Sequence, residues 1–125
     1  MGAVKKKILI VEDDRAIAEY VEALLSLNAY DTQVAYHGRE AVDKAREFFP
    51  DLILLDIMLP KLSGLDVCKL LREDAAFNKT KIVMLTSLTQ MGDAEKAFNV
   101  GANDYLGKPF EADRLLQKIK KHLES

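Results

Sequence analysis

The chain has 125 residues, 49% of them apolar and 30% charged, the size and balance of one ordinary domain that buries roughly two thirds of its unfolded surface. Eighteen basic residues against 20 acidic ones leave a formal net charge of −2, so no global field points to nucleic acid or a membrane. A single cysteine, Cys68, excludes an internal disulfide and a cysteine zinc cage, and the absence of an apolar leader or a membrane-length run predicts a soluble, cytoplasmic protein.

Two periodicities alternate along the chain. Lys5-Lys6-Lys7 reads as a solvated entry into the apolar strand Lys7–Val11 rather than a nucleic-acid arm. Ile17, Tyr20, Val21, Leu24 and Leu25 then recur at helical spacing. Thr32 to Tyr36 is a weaker, more polar strand, and Gly38 opens a helix through Ala41, Val42, Ala45 and Phe48 that Pro50 ends. The run Leu52–Leu55 is apolar enough for burial on both faces. A loop with Pro60 and Gly64 leads to a helix carrying Leu65, Val67, Cys68, Leu70 and Leu71, where Cys68 reads as a small buried residue rather than a nucleophile. Lys81 to Leu85 is a fourth strand, Ala94 to Val100 a short helix closed at Gly101, and Asp104 to Leu106 a brief fifth strand. After Lys108-Pro109, the residues Leu115, Leu116, Ile119 and Leu123 make the last helix.

Five β–α units in succession predict an α/β fold, a doubly wound parallel sheet covered by helices on both faces, in one domain spanning residues 1–125. The first, third and fourth strands are the most apolar and belong at the centre; the second belongs at an edge. Ligands in such sheets bind beyond the carboxyl ends of the strands.

That rule turns scattered polar residues into one site. The first strand ends in Glu12-Asp13-Asp14, the third in Asp56, the fourth in Thr86-Ser87, and the fifth runs to Lys108-Pro109. Singly, each has an ordinary explanation: Asp14 as a helix cap, Thr86 as a structural strand end, Lys108 as a solvated loop residue. Together they bring carboxylates, a hydroxyl and an ammonium to one edge. Clustered carboxylates repel unless a cation lies among them, and an all-oxygen set with room for water suits Mg²⁺ better than a Ca²⁺ cage. A carboxylate is a competent nucleophile toward phosphorus, while Lys108 and Thr86 are suited to phosphoryl oxygens. Asp56, alone at the end of a central strand, is the candidate nucleophile; the adjacent Glu12 and Asp13 suit the metal.

In four ordered motifs, "ILIVEDD", "DLILLDIMLPKLSG", "IVMLTS" and "GANDYLGKPF", the whole chain resembles the receiver domain of a bacterial two-component response regulator. The resemblance implies a flavodoxin-like sheet in the order 2-1-3-4-5, a topology for which a chemotaxis relative is a standard example. It implies a phosphorylation-dependent switch that takes a phosphoryl group onto Asp56 from a phosphohistidine of a histidine kinase or phosphotransfer protein. Mg²⁺ would be held by Asp13, Asp56 and the backbone carbonyl of Met58, with Glu12 acting through water. Lys108 and Thr86 would hold phosphoryl oxygens, and Tyr105 would turn inward when Thr86 moves. The same resemblance suggests a cis Lys108-Pro109 peptide, which sequence alone disfavours. Glu12 stands where aspartate is commoner, Asn103 where acidic residues are frequent, and Gly107 loosens the lysine loop; none of these removes a chemical group.

Other classes fit less well. An aspartate-nucleophile phosphatase would place a second acid at position 58, which is Met58. A flavin module would need a small, hydroxyl-rich phosphate loop where "EDDRAIAEY" offers carboxylates. A phosphorylation-independent docking module usually lacks a site residue. The expectation is therefore no turnover enzyme beyond self-catalysed phosphoryl acceptance and slow self-dephosphorylation. Expected partners are a histidine kinase or phosphotransfer protein and a downstream protein or a further effector domain, with no direct nucleic-acid or membrane binding and possible formation of a phosphorylation-dependent dimer. Lys118, Lys120, Lys121 and His122 read as a solvated face of the last helix, and His37 as a surface loop residue. Met58 and Leu88 are expected to flank the path of a hydrolytic water and, being apolar, to slow loss of the phosphoryl group.

Overall fold

A computed structural model describes residues 4–87 and 93–124; Leu88 lies outside the described residues. Among those residues the strands are β1 (Lys7–Val11), β2 (Asp31–Ala35), β3 (Leu52–Asp56), β4 (Lys81–Thr86) and β5 (Asp104–Gly107). They alternate with helices α1 (Arg15–Leu27), α2 (Gly38–Phe48), α3 (Gly64–Arg72), α4 (Asp93–Asn99) and α5 (Ala112–Leu123). The strands form one parallel sheet in the order β2-β1-β3-β4-β5, with the polar β2 at an edge as its composition dictates.

Alternating side chains send the sheet's apolar residues into two cores. Leu9, Val11, Ile53, Leu55, Ile82 and Met84 pack on one face, against Ala41, Ala45, Val67, Cys68 and Leu71. Ile8, Ile10, Leu52, Leu54, Val83 and Leu85 pack on the other, against Ala18, Val21, Leu25, Leu115 and Ile119. Every residue of β3 is buried. Cys68 is fully buried, and burial pushes its thiol up to about 11, so it is inert packing.

Boundaries moved by a residue where side chains intervene. β2 stops at Ala35 because the Tyr36 N–H donates to Glu40 Oε1 at 2.6 Å instead of to the sheet. His37 is an exposed loop residue, as its position near the start of α2 suggested, and it also caps that helix, its Nδ1 accepting from the Glu40 N–H at 3.3 Å. α2 ends at Phe48, before Pro50, and is capped by Phe49, whose φ of 50° is left-handed. A single 3-10 turn at Ala75–Phe77, capped by Asp74, had no periodic signal in the sequence. Tyr20, read as part of the apolar stripe of α1, is 52% exposed.

Candidate functional site

The carboxyl ends of β1, β3, β4 and β5 meet at one rim. β1 and β3 pair in register through Val11 and Leu55, so Glu12 and Asp56 leave adjacent strands at the same level. Both are nearly fully buried, at 1% and 4% exposure, while Asp13 is exposed. Ligand oxygens of Glu12, Asp13 and Asp56 all lie within 4.8 Å of one another. Asp14 leaves this cluster to cap α1, its Oδ1 accepting from the Ile17 N–H at 3.1 Å.

Lys108 supplies the opposing charge. Its Nζ donates to Glu12 Oε1 and lies 3.2 Å from Asp56 Oδ2. The peptide before Pro109 is cis, as the resemblance implied, and the Lys108 N–H donates to the Thr86 carbonyl at 2.6 Å. β5 is thereby fastened to the end of β4, where Thr86 is buried.

Two carboxylates face one ammonium, and they cannot both be fully compensated. Burial pushes Glu12 up to about 7, against the opposing hydrogen bonds from Lys108 and the Asp14 N–H; the neighbouring Asp56 adds to the rise. Burial would lower Lys108, but the hydrogen bond to Glu12 and the charge of Asp56 outweigh it and hold the ammonium above its usual range. Three clustered carboxylates, two of them buried and one exposed, suit a hard divalent cation. The donor set therefore fits a hard divalent cation such as Mg²⁺.

The turn after Asp56 is built by backbone contact. The Met58 N–H donates to Asp56 Oδ1 at 3.1 Å, while the residue itself is 71% exposed. The Gly64 N–H donates to the Ile57 carbonyl at 3.0 Å. A Cβ on Gly64 would meet the Asp56 carbonyl oxygen at 2.1 Å, so only glycine lets α3 start this close to the nucleophile candidate. Spacing alone marked Gly64 as a turn residue and said nothing of that approach.

Tyr105 sits on β5 opposite Met84. Its ring meets Phe98 of α4 edge-on, with centroids 5.8 Å apart. Nearby, the reading of α5 as a solvated face is corrected in part. Lys118 Nζ and His122 Nε2 reach the two oxygens of buried Asp104 at 3.0 and 2.9 Å. Burial would raise the Asp104 carboxyl, but His122, the Tyr105 N–H and Lys118 together hold it below the usual carboxylate range. The i, i+4 spacing of Lys118 and His122 was visible in the sequence; the buried carboxylate that gives it meaning was not. Arg72 was likewise unmarked, yet it joins α3 to the carbonyls of Gly101 (2.9 Å) and Phe77 (2.6 Å) and to Asn103 Oδ1 (2.9 Å).

Residues 8–120 match the family described as response regulator receiver domain. The DNA-binding response regulator MtrA of Mycobacterium tuberculosis is 39% identical over 123 residues, covering 98% of this chain and 53% of that protein. The chain thus spans about half the length of the curated relatives it matches. Chemotaxis protein CheY4 of Vibrio cholerae superposes with a TM-score of 0.90 at 31% identity, over 94% of this chain and 98% of that one. The receiver domain of sensor histidine kinase PA1611 from Pseudomonas aeruginosa PAO1 superposes with a TM-score of 0.89 at 31% identity, over 98% and 100% of the two chains. Its structure has a magnesium ion coordinated in the active-site cleft. Among the described residues, no helix is long and apolar enough to cross a membrane.

Proposed function

The chain belongs to the response regulator receiver domain family, and from that premise we propose that Asp56 is its phosphoacceptor, served by Glu12, Asp13, Lys108 and Thr86. As a receiver domain it is a phosphorylation-dependent signalling switch of two-component systems. The observation that supports the assignment is the convergence on Asp56: a buried carboxylate at the end of a central strand, 3.2 Å from the Lys108 ammonium and clustered with two further carboxylates.

A carboxylate oxygen of Asp56 attacks the phosphorus of a phosphohistidine on a histidine kinase or phosphotransfer protein. The P–N bond breaks as the P–O bond forms, and the imidazole leaves with the electron pair. Lys108 turns from the carboxylates toward the phosphoryl oxygens, and the Thr86 hydroxyl donates to one of them. Asp13, Asp56 and the Met58 carbonyl would hold Mg²⁺ directly and Glu12 through water; when bound, the ion neutralises charge on the transferring group. Met58 has no proton to give a leaving group, which counts against a phosphatase that turns over. Residues 1–125 act as one cytoplasmic receiver unit, and the bond to Asp56 persists until water removes it.

The output follows from a change of surface: Thr86 moves toward the phosphoryl oxygens and Tyr105 turns into the space behind it. Some of the curated relatives, MtrA among them, are named DNA-binding regulators. If this chain is part of a protein of that length, DNA binding resides in a further effector domain and not in the receiver.

Acetyl phosphate with Mg²⁺ should add one phosphoryl group by intact mass, and Asp56→Asn should abolish the addition. Undiminished labelling of that variant would move the nucleophile elsewhere.

A further inference from the structure

Tyr105 rests half-buried between two helices. The ring of Phe98 in α4 lies at 5.8 Å and an interplanar angle of 82°. The ammonium of Lys118 in α5 lies over the Tyr105 ring, 5.9 Å from its centroid. That ammonium is no loose surface tip. It donates to Asp104 Oδ1 at 3.0 Å, with the lysine side chain 21% and the aspartate side chain 11% exposed. Asp104 is held in turn by the Tyr105 N–H, which donates to the same oxygen at 2.8 Å, and by His122 Nε2, 2.9 Å from the other oxygen.

The carboxylate that fixes the cation thus belongs to the strand residue next to the ring. A long flexible lysine ordinarily gives up rotamer freedom to sit over an aromatic face. Here Asp104 has already immobilised it, so the contact with the ring carries little further ordering cost. The ring that leaves this slot loses both the edge contact with Phe98 and the cation over its face.

We propose that Lys118 is a positioning residue of the switch: it braces Tyr105 in the slot against Phe98 and thereby sets the threshold that phosphorylation must overcome. The proposal rests on the reading of Tyr105 as the aromatic that turns inward. Lys118 touches neither the carboxylate cluster nor an incoming phosphoryl group, so it acts on the populations of the two states and not on the chemistry. A partly exposed cation–π contact corresponds to a shift of about two- to fivefold in those populations. Asp104 makes the brace specific to a cation at position 118, since a neutral side chain there would lose the anchor and the ring contact together.

The test uses the full chain with Lys118→Met, which keeps the apolar stem and removes the charge. In the free protein, Tyr105 ring resonances should move toward those of the beryllofluoride-bound form. With Mg²⁺ present, apparent affinity for beryllofluoride should rise about two- to fivefold. Lys118→Arg should restore wild-type values, and His122→Ala, which leaves the Lys118–Asp104 pair in place, should keep them. In a Tyr105→Leu background, Lys118→Met should change the affinity no further. Unchanged ring resonances in the free Lys118→Met protein would overturn the brace itself. If the ring responds while wild type and Asp56→Asn bind beryllofluoride alike, the threshold falls because the switch reading beneath it has failed.

Discussion

Glu12→Gln, in protein kept free of divalent metal, gives the clearest electrostatic test of the rim. Glu12 is 1% exposed, and its pKa rises from 4.5 to about 7 with burial as the leading cause. The folded state therefore holds the Glu12 proton more tightly than the unfolded chain does. Stability is full below the unfolded value and is lost as pH rises, levelling off above about 7. A rise of that size corresponds to roughly 3 kcal/mol over the whole range, most of it between about pH 5 and pH 8. Glutamine keeps the shape and an acceptor for Lys108 but cannot ionise. Urea unfolding at a series of pH values, in chelator, should show wild type losing about 3 kcal/mol relative to Glu12→Gln as pH rises. The slope is the readout, so a constant offset between the proteins does not matter. Adding Mg²⁺ should flatten the wild-type curve, because a bound cation favours the ionised carboxylates. Parallel curves for wild type and variant across this range would refute the assignment of a buried, proton-retaining Glu12.

Gly64→Ala forces a Cβ toward the Asp56 carbonyl oxygen at 2.1 Å; unfolding should show a loss of about 1–3 kcal/mol, and acetyl phosphate labelling should fall as the turn after Asp56 shifts. Thr86→Ala should leave Asp56 able to accept a phosphoryl group while abolishing the amide-shift change around Tyr105 on beryllofluoride binding. Met58→Asn puts a hydrogen-bonding side chain on an apolar, 71% exposed residue whose backbone N–H bonds Asp56; the phosphorylated form, followed after donor removal, should decay distinctly faster than wild type. Asp104→Asn removes a carboxyl whose pKa is held below its ordinary value by His122, the Tyr105 N–H and Lys118, against the opposing effect of burial. Its stabilising contribution is present above the unfolded carboxylate range and lost as pH falls, so acid unfolding of the variant should be shallower than that of wild type.

Strand existence, the parallel class and the edge position of β2 were legible because they follow from local composition. The run Leu52–Leu55 has no polar face, and Thr32 and Gln33 in β2 do. The gathering of Glu12, Asp13, Asp56 and Lys108 was equally legible, since a parallel sheet sends every carboxyl end to one rim and chain order alone then assigns the residues to it. What the sequence left open depends on partners distant along the chain. Lys118 and His122 have the composition of a solvated helical face, and only the packing of α5 on β5 puts the buried Asp104 carboxylate, 14 and 18 residues earlier, beneath them. Gly64 has the look of any turn glycine until α3 is laid against β3, when the Asp56 carbonyl occupies the place of its missing Cβ. Glu12 is charged by composition, yet its environment holds its proton up to about pH 7, because desolvation belongs to the assembled rim and to no stretch of sequence. Periodicity is a property of neighbours along the chain; burial and charge compensation are properties of neighbours in space, and the tertiary structure alone decides those.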